Sequence, residues 1–245
     1  MNTVLMRLSA PMQSWGATSQ WEERVTTVRP TKSGVIGLVA NALGYERDDD
    51  LSALAPLTFA VRADRPGRTD VDHQTAGGGH PAPATRIPSA YGAPRGPEPD
   101  PAGTLQASET ATGRTTVLIF KQYVADAAFL AGLSTPDKDL AEEIAAALTR
   151  PARPLYLGRR SFPPAHPIYH GTTAFPPASW PEQIPLLAEA SDLNPRVWTE
   201  SPPGPGTLAS AEQVPTTFQD RDHQLMHLEV RRVRPAAPQP PGGAA

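Results

Sequence analysis

Basic side chains are concentrated in two segments that contain no acidic residue. Residues 144–181 include Arg159 and Arg160, and residues 24–45 include Arg24, Arg29 and Lys32. A guanidinium group suits phosphate because it offers a planar fork of N–H donors. The pattern predicts contact with phosphate or RNA, and the alternative is a solvated surface that lacks acids.

Other residues could support such a contact. Lys32 and Ser33 fall at the start of a predicted helix, where free backbone N–H groups favour an anion. Lys121 falls on a predicted strand and suits either a phosphate contact or a solvated face. Trp15 and Trp21 could stack on bases, at about 1–3 kcal/mol each. Core packing or a subunit interface is the alternative for both tryptophans.

The sequence favours no metal or cofactor site. It contains no cysteine, which excludes disulfides and thiolate-ligated metals. His166 and His170 have the spacing of a helical metal pair, but Pro167 disfavours a helix there, and a strand would place them about 13 Å apart. Tyr45, Lys121 and the histidines could form a metal-independent ribonuclease site, although no motif requires one.

The apolar pattern predicts the elements that would position these residues. It indicates strands at 4–8, 57–61, 115–124 and 226–230, and helices at 33–44 and 135–148, with one or two strands within 155–169. Residues 127–130 either extend the strand 115–124 or form its neighbour. The βαββαβ order predicts an α+β, ferredoxin-like fold that resembles RNA-recognition modules. Its sheet would pack one face on two helices and leave the other face for a ligand.

Proline and glycine divide the chain into further regions. There are 30 prolines and 19 glycines among 245 residues, and they are dense in the segment 77–103. That composition predicts a projecting insertion rather than a packed element. We expect a proline-rich C-terminal extension at 176–234 with a final strand, and a disordered tail at 235–245.

The net charge and the lengths of the apolar runs limit which partners the protein can have. The net charge of −3 alone argues against nucleic-acid binding, so the distribution of charge carries the hypothesis. No apolar run approaches the roughly 18 residues that a membrane helix needs. We expect a cytoplasmic protein without a membrane partner.

Four short motifs resemble the CasD family of the RAMP superfamily, in family order. They lie at residues 8–16, 29–38, 43–49 and 156–161. CasD proteins hold the 5′ handle of the guide RNA (crRNA) in the type I-E CRISPR Cascade complex. The resemblance implies a ferredoxin-like domain at residues 1–175 with a β-hairpin thumb at about 71–115. It also implies contacts with the adjacent backbone subunit and the large subunit of Cascade, and antiviral defence as the role.

The resemblance also implies an RNA site without catalysis, metal or cofactor. Together with the basic segments, it predicts RNA contacts from Gln13, Trp15, Arg24, Arg29, Lys32, Ser33, Gly34, Thr75, Arg86, Arg95, Arg114, Lys121, Arg159 and Arg160. Type I-C relatives cleave precursor crRNA themselves, and Tyr45 lies roughly where they have a catalytic tyrosine. Lys121 is followed by Gln122, so their Lys-His pair is missing. A metal-independent endoribonuclease is therefore the alternative hypothesis, and a protein-interaction module is a more distant one.

Overall fold

The described part of the chain is built around one sheet with three short helices. The computed structural model describes residues 1–16, 23–77, 107–109, 115–204, 207–215 and 223–237. Within these ranges, ten strands belong to a single sheet. The strands are β1 (Asn2–Gln13), β2 (Glu23–Arg24), β3 (Thr58–Arg65), β4 (Arg68–Gly77), β5 (Ala107–Glu109), β6 (Thr115–Thr135), β7 (Tyr169–Thr173), β8 (Arg196–Glu200), β9 (Leu208–Pro215) and β10 (His223–Arg232). The helices are α1 (Lys32–Leu43), α2 (Lys138–Thr149) and α3 (Trp180–Gln183).

Strand β6 is the centre of the sheet. It pairs antiparallel with β1 along one edge and with β3 along the other. The full path runs β7-β1-β6-β3-β8-β10-β9. Strands β1 and β3, which α1 connects, therefore flank β6, and the chain crosses over it through the helix.

The two faces of the sheet carry separate apolar clusters. Val4, Met6 and Leu8 of β1 face α1 and α2 in the larger cluster, whereas Leu5 faces the opposite side with Trp180. This alternation follows from the two-residue period of a strand. Both faces of the central strands are thus covered, one by helices and one by the segment around α3.

Both main helices begin at a side-chain cap, and α1 also ends at a glycine. Thr31 caps α1 by accepting from the Gly34 N–H at 3.2 Å, and Gly44, with φ +86°, ends it in the left-handed region. Helix α2 was expected to start from Thr135, but Asp137 is its cap. The reason is that Thr135 completes the ladder between β6 and β1, opposite Asn2.

The strands extend further than local pattern indicates. Strand β1 continues through Pro11, and β6 runs over 21 residues, beyond the predicted 115–124. Residues 155–168 form no strand, and the segment 176–215, expected as a connection, contains α3, β8 and β9. These differences have one cause. A segment becomes a strand only where another strand, often far along the chain, pairs with it. The predicted final strand is confirmed as β10.

The N-terminal half of β6 extends beyond the ends of β1 and β3 and pairs with β4. The ladder runs from Arg68 opposite Ala125 to Gly77 opposite Thr116. We call β4 with residues 115–125 of β6 the arm. Residues 78–106 and 110–114, which include Arg86, Arg95, Arg114 and most of the predicted thumb, lie outside the described residues, as do 238–245 of the expected tail.

The chain is thus an α+β protein with a largely antiparallel sheet. No helix in the described ranges is long and apolar enough to cross a membrane.

Candidate nucleic-acid interface

The loop 156–162 is fixed against the turn that follows β1. Ser14 N–H donates to the Leu157 carbonyl at 3.0 Å, and Leu157 N–H donates to the Phe162 carbonyl at 2.8 Å. Gly158 has φ +90°, and a Cβ atom there would overlap the Ser14 carbonyl oxygen. A glycine is therefore required, and two motifs far apart in sequence form one unit.

The segment before α1 joins the same turn. Thr27 N–H donates to the Trp15 carbonyl at 2.7 Å, and Trp15 N–H donates to Thr26 Oγ1 at 2.8 Å. A Cβ atom at Gly34 would lie 2.9 Å from the Trp15 ring, so the absence of a side chain lets α1 approach the indole. Three of the four motifs thus converge around Trp15.

Gln13 and Trp15, both predicted RNA contacts, are buried. The Gln13 amide donates to the Leu8 and Ala127 carbonyls and accepts from Trp15 Nε1 at 3.1 Å. The exposed fraction of Trp15 is 1%, which leaves no open ring face for a base. In this arrangement both residues support the turn that holds the loop.

The arginines of the loop lie at the base of the arm. Arg159 donates from Nη2 to the Gln122 carbonyl of β6 at 2.6 Å and packs over Phe162 at 5.2 Å. Phe162 is also 6.2 Å from the ring of Tyr123. Arg160 is exposed. One arginine is thus fixed to the arm, and its neighbour faces solvent.

The arm carries further predicted residues. Lys121 donates to Gln74 Oε1 at 2.6 Å. Burial raises the pKa of Tyr123, and the nearby Asp70 raises it further. Arg24 and Thr75 are located by their backbones, opposite Lys121 and Leu118 of β6.

The residues at the start of α1 are more enclosed than expected. Lys32 is 3% exposed, and its Nζ lies 2.9 and 3.0 Å from the two carboxylate oxygens of Glu200 in β8. A phosphate contact by this side chain would require breaking that ion pair. Ser33 and Gly34 are half-buried.

Arg29 is also enclosed. Its guanidinium lies 5.5 Å from the ring centre of Trp198 and donates to the Pro30 carbonyl at 3.1 Å. Burial lowers the pKa of Arg29 to about 10, which still leaves it charged at neutral pH.

The residues of the alternative ribonuclease hypothesis lie in separate environments. Tyr45, just beyond the C-terminal end of α1, packs against the larger apolar cluster, and its carbonyl accepts from Arg153. His166 lies 3.5 Å from Glu189. Burial and the charge of Arg7 lower the pKa of His170. Within the described ranges, no group of three or more histidine, aspartate or glutamate side chains could hold a metal.

Sequence reasoning missed the residues that position the loop. Phe162 and Tyr123 support Arg159, and Gly158 sets the loop against Ser14. A glycine directly before two arginines was the available signal, because a tight turn often needs φ > 0.

Comparisons with known proteins agree with this architecture. The family model Cas_Cas5d, described as "CRISPR-associated protein (Cas_Cas5)", matches residues 3–235. The "CRISPR system Cascade subunit CasD" of Escherichia coli (strain K12) is 33% identical over 165 residues, which are 65% of this chain and 66% of that protein, just under two thirds of its length.

Two solved structures are similar in fold. A chain described as "CRISPR RNA-guided surveillance complex" matches with TM-score 0.69 and 30% identity, over 98% of this chain and 94% of that one. A second, described as "Crystal structure of Cas protein", matches with TM-score 0.66 and 30% identity, over 98% of this chain and 100% of that one. With a family match that spans almost the whole sheet and its helices, the chain belongs to the CasD/Cas5 family of CRISPR-associated proteins.

Proposed function

We propose that this protein is a non-catalytic RNA-binding subunit of a type I-E CRISPR Cascade complex. In this role it holds the 5′ handle of crRNA and caps one end of the backbone. The similarity to a Cascade subunit and to a chain of an RNA-guided surveillance complex supports membership of such an assembly. The adjacent backbone subunit and the large subunit are its proposed neighbours.

The proposed domain is ferredoxin-like with a thumb. The strand order β7-β1-β6-β3, with helices after β1 and β6, supports this assignment because a split βαβ fold places its fourth, first, third and second strands in that order. The arm supports the thumb, since β4 and β6 pair over ten residues before the chain reaches the insertion.

One observation carries the RNA-binding role. The loop 156–162 is held at the base of the arm, with Arg159 on the Gln122 carbonyl and Arg160 exposed beside it. Lys121 lies on the same strand as Gln122. Arginines held in a rigid loop bind phosphate well because less side-chain entropy is lost on binding.

The test is RNA binding by the Arg159→Gln, Arg160→Gln double variant of the full chain. We expect roughly a tenfold or greater loss of affinity for a 5′-handle RNA. The slope of log K against log salt should become shallower by about 0.7 for each lost phosphate contact. Titrations at several salt concentrations measure both quantities.

The matched control removes two exposed arginines elsewhere, Arg47→Gln and Arg234→Gln. It has the same net charge as the test variant, so a general charge effect would weaken both proteins equally. Equal affinities of the test variant and the wild type would remove the loop from the interface.

A further inference from the structure

A second basic surface lies across β6 from the loop 156–162. A cleft of about 290 Å³ opens between the turn after β3 and the ends of β8 and β10. Val28, Val124 and Trp198 contribute its apolar lining, and Arg68, Arg196 and Arg232 contribute its charge. None of these residues was singled out from the sequence.

Two of the arginines are held directly opposite each other. Arg196 of β8 pairs in register with Arg232 of β10, and like charges at such a position destabilise a sheet. Arg232 is compensated by Asp192 at 3.1 Å and by the Asn194 carbonyl at 2.6 Å. Among the described residues, the Arg196 side chain makes no hydrogen bond or ion pair, and its guanidinium lies 5.7 Å from the ring centre of Trp198. The pair therefore keeps an uncompensated positive charge in the cleft.

The third arginine adds to this charge from the opposite wall. Arg68 begins β4, and its side chain is 72% exposed. Its nearest carboxylate, Asp126, is 3.9 Å away and also exposed, so this ion pair contributes little in water. Three guanidinium groups thus line the cleft, and Asp192 is the only acidic residue among its described lining residues. A concave surface of one charge attracts an anionic ligand.

The apolar lining suits a flat ring. Trp198 is half-buried, and Val28 is 57% exposed at the mouth of the cleft. Val124 lies on one face of the arm, and Phe120, four residues earlier in the same strand, shares that face and is 43% exposed. Val124 itself is buried, at 1% exposed, so Val28 at the cleft and Phe120 on the arm are separate exposed apolar side chains.

We propose that this cleft binds one phosphodiester and the adjacent unpaired base of an RNA strand. The phosphate lies between Arg68 and Arg196. The base packs against Val28 beside the Trp198 ring, which Arg29 and Arg196 contact at 5.5 and 5.7 Å. This inference rests on the proposed RNA-binding function and adds a second contact site to it. An RNA strand fits better than an acidic peptide because unpaired bases pack on aromatic rings while guanidinium forks bind phosphate.

The test compares three forms of the full chain on the same single-stranded handle RNA: wild type, Arg68→Gln with Arg196→Gln, and Arg159→Gln with Arg160→Gln. We expect the cleft variant to lose about tenfold in affinity and its salt slope to become shallower by about 0.7 for each lost phosphate contact. Arg196→Lys keeps the charge and should retain most of the affinity. Photocrosslinking from a 4-thiouridine-substituted RNA should label a peptide that contains Trp198.

The outcomes separate this inference from the function on which it rests. An unchanged cleft variant beside a weakened loop variant overturns the cleft and leaves the proposed function standing. A wild-type chain that binds no RNA overturns both. If a polyglutamate peptide binds to the cleft and RNA does not, the cleft is a protein-docking surface and the inference is wrong.

Discussion

At the scale of single residues, the motifs have two physical roles. Gln13 and Trp15 are buried and connect the end of β1 to its surroundings through hydrogen bonds and ring packing. Arg160 is exposed and available to a ligand. Residues of the first kind position those of the second, so a substitution at Trp15 would act through stability before it acts on RNA.

Gly158 gives a sharp test of this positioning. In Gly158→Ala the new methyl group would overlap the Ser14 carbonyl at a backbone conformation that L-residues rarely adopt. We expect a loss of about 1–3 kcal/mol in the free energy of unfolding and weaker RNA binding. Gly16→Ala is the control, because nothing lies within 4 Å of a Cβ atom there, and it should change stability by less than about 0.5 kcal/mol. Urea denaturation of both variants measures the difference, and equal midpoints would contradict the proposed role.

At the scale of elements, hydrogen bonds from Arg62 and the Arg7–Glu189 ion pair hold α3 and the segment after it on the face of the sheet opposite α1 and α2. Arg62, fully buried, donates to the carbonyls of Pro181, Ile184 and Pro185 and pairs with Asp64 at 2.6 Å. Further along, Glu189 accepts from Arg7 Nε of β1 at 2.8 Å. The segment contains little regular structure, so these contacts replace the backbone ladder that a strand would have.

The Arg7–Glu189 pair predicts a pH dependence. Burial alone would raise the pKa of Glu189, but hydrogen bonds, that of Arg7 the largest, outweigh burial and lower it below its ordinary 4.5. A carboxyl with a lowered folded-state pKa stabilises the protein above its unfolded pKa, and that stability is lost as the pH falls through the folded value.

Glu189→Gln should therefore lose less stability than the wild type on acidification below about pH 4.5. Thermal unfolding across the acidic range measures this difference. The exposed Glu143 supplies the control, and Glu143→Gln should follow the wild-type curve. A Glu189→Gln curve parallel to the wild type would show that the pair contributes no pH-dependent stability.

At the scale of the whole molecule, the C-terminal residues belong to the same sheet as the N-terminal ones. Strand β8 pairs with β3, and Glu200 at its end pairs with Lys32 at the start of α1. The cleft forms because these strands share one sheet, since its lining residues come from both the N-terminal and the C-terminal parts of the chain. We therefore treat residues 1–175 and the C-terminal strands as energetically coupled.

The proposal of a binder without catalysis makes a prediction for the complete protein. We expect repeat RNA to stay intact when it is incubated with the purified chain in the presence of chelator. Tyr45 packs against the core, and the sequence lacks the Lys-His pair of the cleaving relatives. Tyr45→Phe should bind RNA as the wild type does. Cleavage at a single phosphodiester that Tyr45→Phe abolishes would establish the ribonuclease alternative instead.

The sequence by itself determined the local features. Thr31 and Gly44 set the ends of α1 through their own side-chain and backbone chemistry, and the alternation of Met226, Leu228 and Val230 with polar residues indicated β10. The motifs around Trp15 and Arg159 were sufficient to identify the family. Each of these signals depends on neighbours within a few positions, which a single sequence contains.

The tertiary structure alone decided which residues meet. The burial of Lys32 against Glu200, the position of Arg159 on the Gln122 carbonyl and the pairing of Arg196 with Arg232 join residues far apart in sequence. Residue types and spacing do not determine such contacts, because they depend on strand register and on how the faces of the sheet are covered. For that reason the basic segments predicted an anion-binding protein, and only the fold showed which of their cationic side chains are buried and which are exposed.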